Sequence, residues 1–510
     1  MTAVTSTAYE VVIGLEVHVQ LRTRSKMFCS CSAAYFDAPP NSHVCAVCFG
    51  MPGMLPVVNR RAVDATILSG LALGSTIPPR AKFDRKNYPY PDLMKGYQIS
   101  QYDEPFCVGG ALDIEVDGVP HHVRLERIHL EEDTARLLHR DEPHGESYSL
   151  LDVNRSGVPL MEVVSAPDMR SAAQAVAYLR KLRQTLRYID VSDADMEKGS
   201  FRCDANVSLR LFGAETLGAK VEVKNMNSFR AVQRAIEFEI ERQAALLDAG
   251  ASIDQETRGY IDATGATASQ RSKEAAHDYR YFPEPDLPPL AITAERIAAL
   301  RAQLPELPDA RRVRFEQQYG LAPADARLLT ETRAHADAYE ETVGLALADG
   351  GGHGPALSAA AKGTARAVAH WFTGELARLL HSEGGERALA DTKLTPAHVA
   401  ELATLAERGV VTLTTAKEVL DLAFDSGERP AAIVAARGLA QVRDEAEIDR
   451  VALAVIAANE KAVADYRGGK PSALQFLVGQ LMRQLKGRAD AAAAADVFRR
   501  HLDGHPDRQP

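Results

Sequence analysis

The segment Tyr9 to Arg22 constrains the fold more than any other. Tyr9, Val11, Ile13, Leu15, Val17, Val19 and Leu21 are apolar at every second position, while Glu10, Glu16, His18, Gln20 and Arg22 lie between them. Period two is the repeat of a β-strand with one face in a core and the other polar. The alternation returns in Phe201, Cys203, Ala205, Val207, Leu209 and Leu211 against Arg202, Asp204, Asn206, Ser208 and Arg210, and continues in Val221 and Val223. Asp117-Gly118, between Leu112/Ile114/Val116 and Val123/Leu125, signals a hairpin. Asp168 is expected to open a helix with Val176, Leu179, Leu182, Leu186 and Ile189 inward. Ser228 is expected to cap another, with Val232, Ile236, Ile240 and Leu247 inward and Gly250 at its end. Strand runs interleaved with a few helices predict an α+β domain on an antiparallel sheet.

The stretch Tyr281–Pro289 (YFPEPDLPP) is too rich in proline for a regular element. The first domain is therefore placed at 1–292. Beyond it the periodicity is helical and alanine-rich, with Gly350-Gly351-Gly352 marking a loop and Gly409 a second boundary. This predicts an all-α domain at 293–409 and a small α-helical tail at 410–510. A length of 510 residues agrees with about three domains. The formal charge of −10 excludes a globally basic nucleic-acid binder but leaves room for a basic face. No run of about 18 apolar residues suggests a membrane span, and Met1–Ala8 has no signal-peptide pattern. A cytoplasmic location without a membrane partner is the expectation.

Cys29-x-Cys31 and Cys45-x2-Cys48 match a closed four-cysteine zinc site, which is structural rather than catalytic. Glu16 and His18 share the polar side of the first strand. Taken alone they describe a solvated sheet face, but two further acidic sites change the weighing. Glu131-Glu132-Asp133 follows an apolar strand, and Glu162 is embedded in Leu160-Met161-Glu162-Val163-Val164, where a bare carboxylate is costly. Several carboxylates together suit Mg²⁺, and an imidazole among them would suit Mn²⁺ equally. Phe83–Asp92 (FDRKNYPYPD) with Lys95 displays cations and tyrosines on an extended path, able to meet phosphate or RNA or simply to pack. The same choice applies to Lys224, Asn225 and Asn227, and to Lys273, Tyr279, Arg280 and Tyr281. In the tail, Arg467, Lys470, Arg483, Lys486 and Arg488 gather positive charge of the kind that contacts phosphates. The sequence holds no P-loop, no strand-linked dinucleotide fingerprint and no nucleophile elbow.

Several longer stretches carry a resemblance. Val12–His18, Phe83–Tyr88, Tyr97–Gln101, Gly199–Asn206, Asp278–Asp286 and Phe476–Gln480 resemble the GatB family of tRNA-dependent amidotransferase subunits, in order and over nearly the whole chain. The resemblance implies an N-terminal catalytic cradle, a helical domain and a tRNA-binding tail. It implies a carbon–nitrogen ligase that uses ATP to phosphorylate the side-chain carboxylate of Glu or Asp misattached to tRNA-Gln or tRNA-Asn, after which ammonia displaces phosphate. It places metal ligands for Mg²⁺ at Glu16, His18, Glu132 and Glu162, and an ammonia gate at Lys86, Lys95 and Glu132. Lys86 and Arg202 are expected to face phosphate, with Asp204 and Asn206 beside the nucleotide. The expected partners are an amidase-type glutaminase subunit and a small bridging subunit, giving a heterotrimer. Two alternatives remain open: a non-catalytic zinc-bearing RNA-binding or assembly module, and a metal-dependent phosphohydrolase.

Overall fold

The computed structural model describes residues 8–141, 147–272, 278–347, 357–382, 385–442, 444–485 and 487–503. Gly350-Gly351-Gly352, Lys273 and Lys486 lie outside these. The chain divides into two compact units, Met1–Leu307 and Pro308–Pro510. The architecture is α+β: a mixed sheet with helices in the first unit, and helices throughout most of the second.

The first unit is built on a nine-stranded sheet. Its central strands are β1 (Tyr9–Gln20), β4 (Val119–Glu132), β5 (Pro159–Ser165), β6 (Phe201–Leu211) and β7 (Val221–Lys224). They run in the order β7-β6-β1-β5-β4, every neighbour antiparallel. A separate small sheet contains β2 (Asp84–Asn87) and β3 (Tyr97–Ser100). One pair departs from the antiparallel expectation. β7 and Glu256–Ile261 are parallel, because the chain returns through a helix, α2 (Phe229–Asp248), and a helical crossover brings the next strand back in the same direction.

Ile13, Leu15, Val17 and Val19 are all buried and share one core with Met161, Val163, Ala205, Val207, Val221 and Val223. Helices α1 (Ala172–Tyr188) and α2 contribute to the same core, α1 through Leu179, Leu182 and Leu186. Full burial of each such side chain is worth about 1.5–3 kcal/mol. Ser228 caps α2 by accepting from the Ala231 amide, as its position predicted. Asp168 does not cap α1. Ser171 does, accepting from Gln174, while Asp168 is turned toward Arg124 at 2.7 Å. Asp117 and Gly118 both take positive φ in the two-residue hairpin turn. The unit continues past position 292: Leu300 joins its core and Arg296 bonds Asp64 at 2.7 Å.

The second unit has two apolar clusters. One runs from Phe315 to Val434 and the other from Ile448 to Leu502. Gly409 falls within the first, between the helices Pro396–Glu407 and Leu413–Ser426, which both pack into it. No described helix is long and apolar enough to cross a membrane.

Candidate active site

The register of four strands sets one row of polar side chains. His18 lies opposite Glu162 on one side and Arg202 on the other; Glu162 lies opposite His129; Glu16 lies opposite Asp204. Paired positions on antiparallel strands share a face, so the polar positions of β1, β5, β4 and β6 collect on the side of the sheet away from α1 and α2. Of these, His18, Glu131 and Glu162 offer ligand atoms that all lie within 4.8 Å of one another. His129 joins them: its Nε2 is 3.1 Å from Glu162 and 3.7 Å from Glu131.

Glu132 is not part of this group, contrary to the metal assignment that the resemblance implied. A β-bulge accounts for the difference. Leu125 pairs with Ser165 and Arg127 with Val164, leaving Glu126 without a partner on β5. One extra residue reverses the alternation. Val123 and Leu125 face the core before it, and Ile128 and Leu130 after it. His129 and Glu131 consequently stand on the polar face, and Glu132 turns the other way. Its carboxylate pairs with Lys95 and accepts from the Ile99 amide at 3.0 Å. Glu16 keeps its place on the polar face but also lies outside the compact group, accepting from Asn206 at 2.9 Å.

The electrostatics follow from burial and proximity. Burial disfavours charge on His129, but the Glu162 and Glu131 carboxylates outweigh it and hold the imidazole up at about 9. His18 is raised by the same balance, chiefly through Glu162. Burial likewise opposes the Glu162 carboxylate, yet His129 and His18 keep it well below the usual range. Lys86 is raised despite burial by Glu131 and Glu162, which it faces without a direct ion pair or hydrogen bond. Asp133 binds Gln20 at 2.7 Å and Arg202 at 2.8 Å, and Asp204 binds Lys224 at 2.7 Å. Arg202 Nε, Asn206 Oδ1 and His129 Nδ1 are buried without hydrogen-bond partners. Buried polar atoms are rarely left unpaired, so this face has bonding capacity for a ligand.

Cys29, Cys31, Cys45 and Cys48 converge with their sulfurs within 4.8 Å of one another, and none is in a disulfide. Four sulfurs on a zinc ion at 2.3 Å would stand roughly 3.8 Å apart, and Cys45 and Cys48 are at 3.9 Å. The donor set fits zinc. Sequence reasoning missed Lys26, a fully buried ammonium that donates to the His43 carbonyl at 2.8 Å and reaches the Cys48 sulfur at 3.4 Å. Hydrogen bonding to Cys29 holds the Cys48 thiol down to about 4, with Lys26 assisting, and pushes Cys29 up. A cavity of about 230 Å³ lies between this loop and the Lys95–Glu132 pair, lined also by Arg85, Tyr97 and Asp286.

In the tail, Arg467, Lys470 and Arg483 are exposed, with Lys470 paired to Asp465 at 2.8 Å. Arg488 is instead bound to the Gly438 carbonyl at 3.0 Å.

Comparison with known proteins gives a consistent answer. The GatB/GatE catalytic domain family matches residues 11–298, and the GatB domain family matches residues 357–502. The B subunits of aspartyl/glutamyl-tRNA(Asn/Gln) amidotransferases from several organisms align over nearly the full length. That of Thermomicrobium roseum is 53% identical, covering 97% of this chain and 99% of its own. Those of Dehalococcoides mccartyi and Carboxydothermus hydrogenoformans are 52% and 49% identical, covering 98% and 97% of this chain and 99% of their own.

Two outcomes are expected. In Mn²⁺ titrations followed by electron paramagnetic resonance, Glu131→Gln weakens binding by about tenfold or more, and Glu132→Gln does not. The opposite order would return the site to Glu132. The purified protein carries about one zinc ion per chain, and a chelator strips it faster from Lys26→Met. Equal release rates would remove Lys26 from the metal's surroundings.

Proposed function

The chain belongs to the GatB family, and from that premise we propose that it is the tRNA-dependent subunit of an ATP-using, glutamine-amide-using carbon–nitrogen ligase. The substrates are Glu esterified to tRNA-Gln or Asp esterified to tRNA-Asn, and the products are the corresponding amides. A carboxylate is a poor acyl donor. Its oxygen attacks the γ-phosphorus of ATP, ADP departs, and an acyl phosphate remains. Ammonia nitrogen then attacks the acyl carbon, and phosphate leaves with the bonding electrons.

The observation that carries this reading is the convergence of His18, Glu131 and Glu162 on one sheet face, with the Lys86 charge held up by Glu131 and Glu162. His18, Glu131 and Glu162 would hold Mg²⁺, with Glu16 two residues away on the same face. The ion would supply charge neutralisation for the phosphoryl group in transfer. Lys86 is a fixed positive charge for phosphate oxygens. Arg202, oriented by Asp133, keeps an unused Nε on the same face. Asn206 retains an unused carbonyl, and Asp204 is fixed by Lys224, so both are placed to bind nucleotide hydroxyls.

Lys95 and Glu132 form a mostly buried ion pair beside the cavity behind the zinc loop. With Lys86 they suit the gate of an ammonia route from an amidase-type glutaminase subunit, held in a cytoplasmic heterotrimer with a small bridging subunit. The zinc is structural: all four ligands come from the protein, and the site lacks an open position. The first unit, through Leu307, acts as the catalytic cradle; in the second, the cluster from Phe315 to Val434 is the helical domain and that from Ile448 to Leu502 the tail that holds tRNA through Arg467, Lys470 and Arg483.

Glu162→Gln in the assembled complex should lower ATP-dependent amidation by about 100-fold or more while tRNA binding persists. Unchanged amidation would defeat the metal assignment, and ATP cleavage indifferent to acylated tRNA would favour a phosphohydrolase. Reversing charge at Lys470 and Arg483 should weaken tRNA binding and reduce its logarithmic salt slope by about 2. Equal binding and slope would remove these residues from the RNA footprint.

A further inference from the structure

Four tyrosines form a chain of ring contacts that begins at Lys86, and the reaction proposed above gives them no role. Tyr88 and Tyr102 follow β2 and β3; Tyr279 and Tyr281 arrive from the far end of the first unit. The two sources are fastened together. Phe282 and Pro283 pair with Arg85 and Asp84, and Asn87 donates from its backbone amide to the Tyr279 carbonyl and from Nδ2 to the Arg280 carbonyl, both at 2.9 Å. Arg280 sits between two of the tyrosines at φ +42°, a left-handed conformation that a side-chain-bearing residue adopts at a cost.

The rings are ordered against one another. Tyr102 and Tyr281 are stacked, with centroids 4.5 Å apart and planes within 12°. Tyr88 and Tyr279 meet edge to face at 5.6 Å. The Lys86 ammonium is 5.0 Å from the Tyr279 centroid and 5.9 Å from that of Tyr88, within cation–π range. Ser100, the last residue of β3 and two residues before Tyr102, donates to Glu131 at 2.9 Å, so the small sheet that carries the tyrosines is fastened to the carboxylate site. The cluster is no buried core. Tyr102 is 59% exposed although stacked on its neighbour, and Phe282 beside it is 45% exposed. Exposed aromatic rings interleaved with cations are the hallmark of surfaces that stack unpaired bases, since every base offers a π-face.

We propose that this rim is the stacking platform for the unpaired 3′-terminal nucleotide of the acylated tRNA. The inference rests on the amidotransferase reading. There the amino acid is esterified to the terminal ribose, and its side chain is only a few bonds long. For its carboxylate to reach His18, Glu131 and Glu162, the terminal base has to lie beside them, and the tyrosine rim is the aromatic surface that β3, through Ser100, joins to that site. The adenine of ATP is the other base with a claim on it, and the test separates the two.

The experiment uses the complete amidotransferase with Tyr102→Ala, Tyr281→Ala and the ring-preserving Tyr281→Phe. Each alanine variant is expected to raise KM for acylated tRNA by about 5- to 150-fold, with KM for ATP unchanged and near-normal kinetics in the phenylalanine variant. A rise confined to ATP gives the rim to the nucleotide's own base and overturns the proposal, as does a lack of change in both. Should the wild-type complex fail to amidate, the reaction reading fails, and the platform is still tested by binding. Wild type would then favour intact tRNA over tRNA trimmed of its terminal nucleotide, and Tyr102→Ala would erase that preference; a preference unaltered by the substitution overturns it.

Discussion

Glu131, Glu162 and Asp133 are carboxylates almost wholly withdrawn from water. Anions in that position are tolerated only where opposite charge and hydrogen bonds replace the lost solvation. Here the replacement is collective. His18 and His129 share Glu162, His129 also reaches Glu131, and Arg202 and Gln20 share Asp133. Each group shifts its neighbours toward the ionised form, which offsets the cost of burying them. A divalent ion would enter as the strongest member of a balance already tuned for cations.

The sheet makes this balance possible by keeping two environments a strand's thickness apart. Val17 and Val19 are buried against helices while His18, between them, reaches the charged side. Antiparallel pairing then brings side chains distant in sequence to one line: His18, Glu162 and His129 lie abreast on three neighbouring strands. A loop supplies what the sheet does not, namely the four cysteines, which Lys26 braces through the His43 carbonyl and the Cys48 sulfur.

Much of this was legible in advance. The alternation of Tyr9–Leu21 and Phe201–Leu211 exposed both faces of the sheet, and the cysteine spacing exposed the four-cysteine cluster. Glu162 stood out because a carboxylate among valines needs a partner. Three features stayed hidden for physical reasons. Glu131 was passed over for its neighbour because a bulge is a property of pairing between strands, and a single strand does not display it. His129 and Lys26 carry no local pattern; their importance lies in contacts across the fold, Lys26 with Val153 being one. The parallel pair beside β7 escaped because direction is decided by the crossover helix rather than by the strands it joins.

Glu126, bulged out of register with β5, gives the hairpin strand a peculiar kind of vulnerability. Its side chain matters little, yet its presence counts as a spacer. Excising it would put the downstream half of the strand out of phase: Ile128 and Leu130 would be expelled toward the charges, and a carboxylate drawn in among the aliphatic side chains. Evolution is therefore free to rewrite the letter at this position but not to shorten the word.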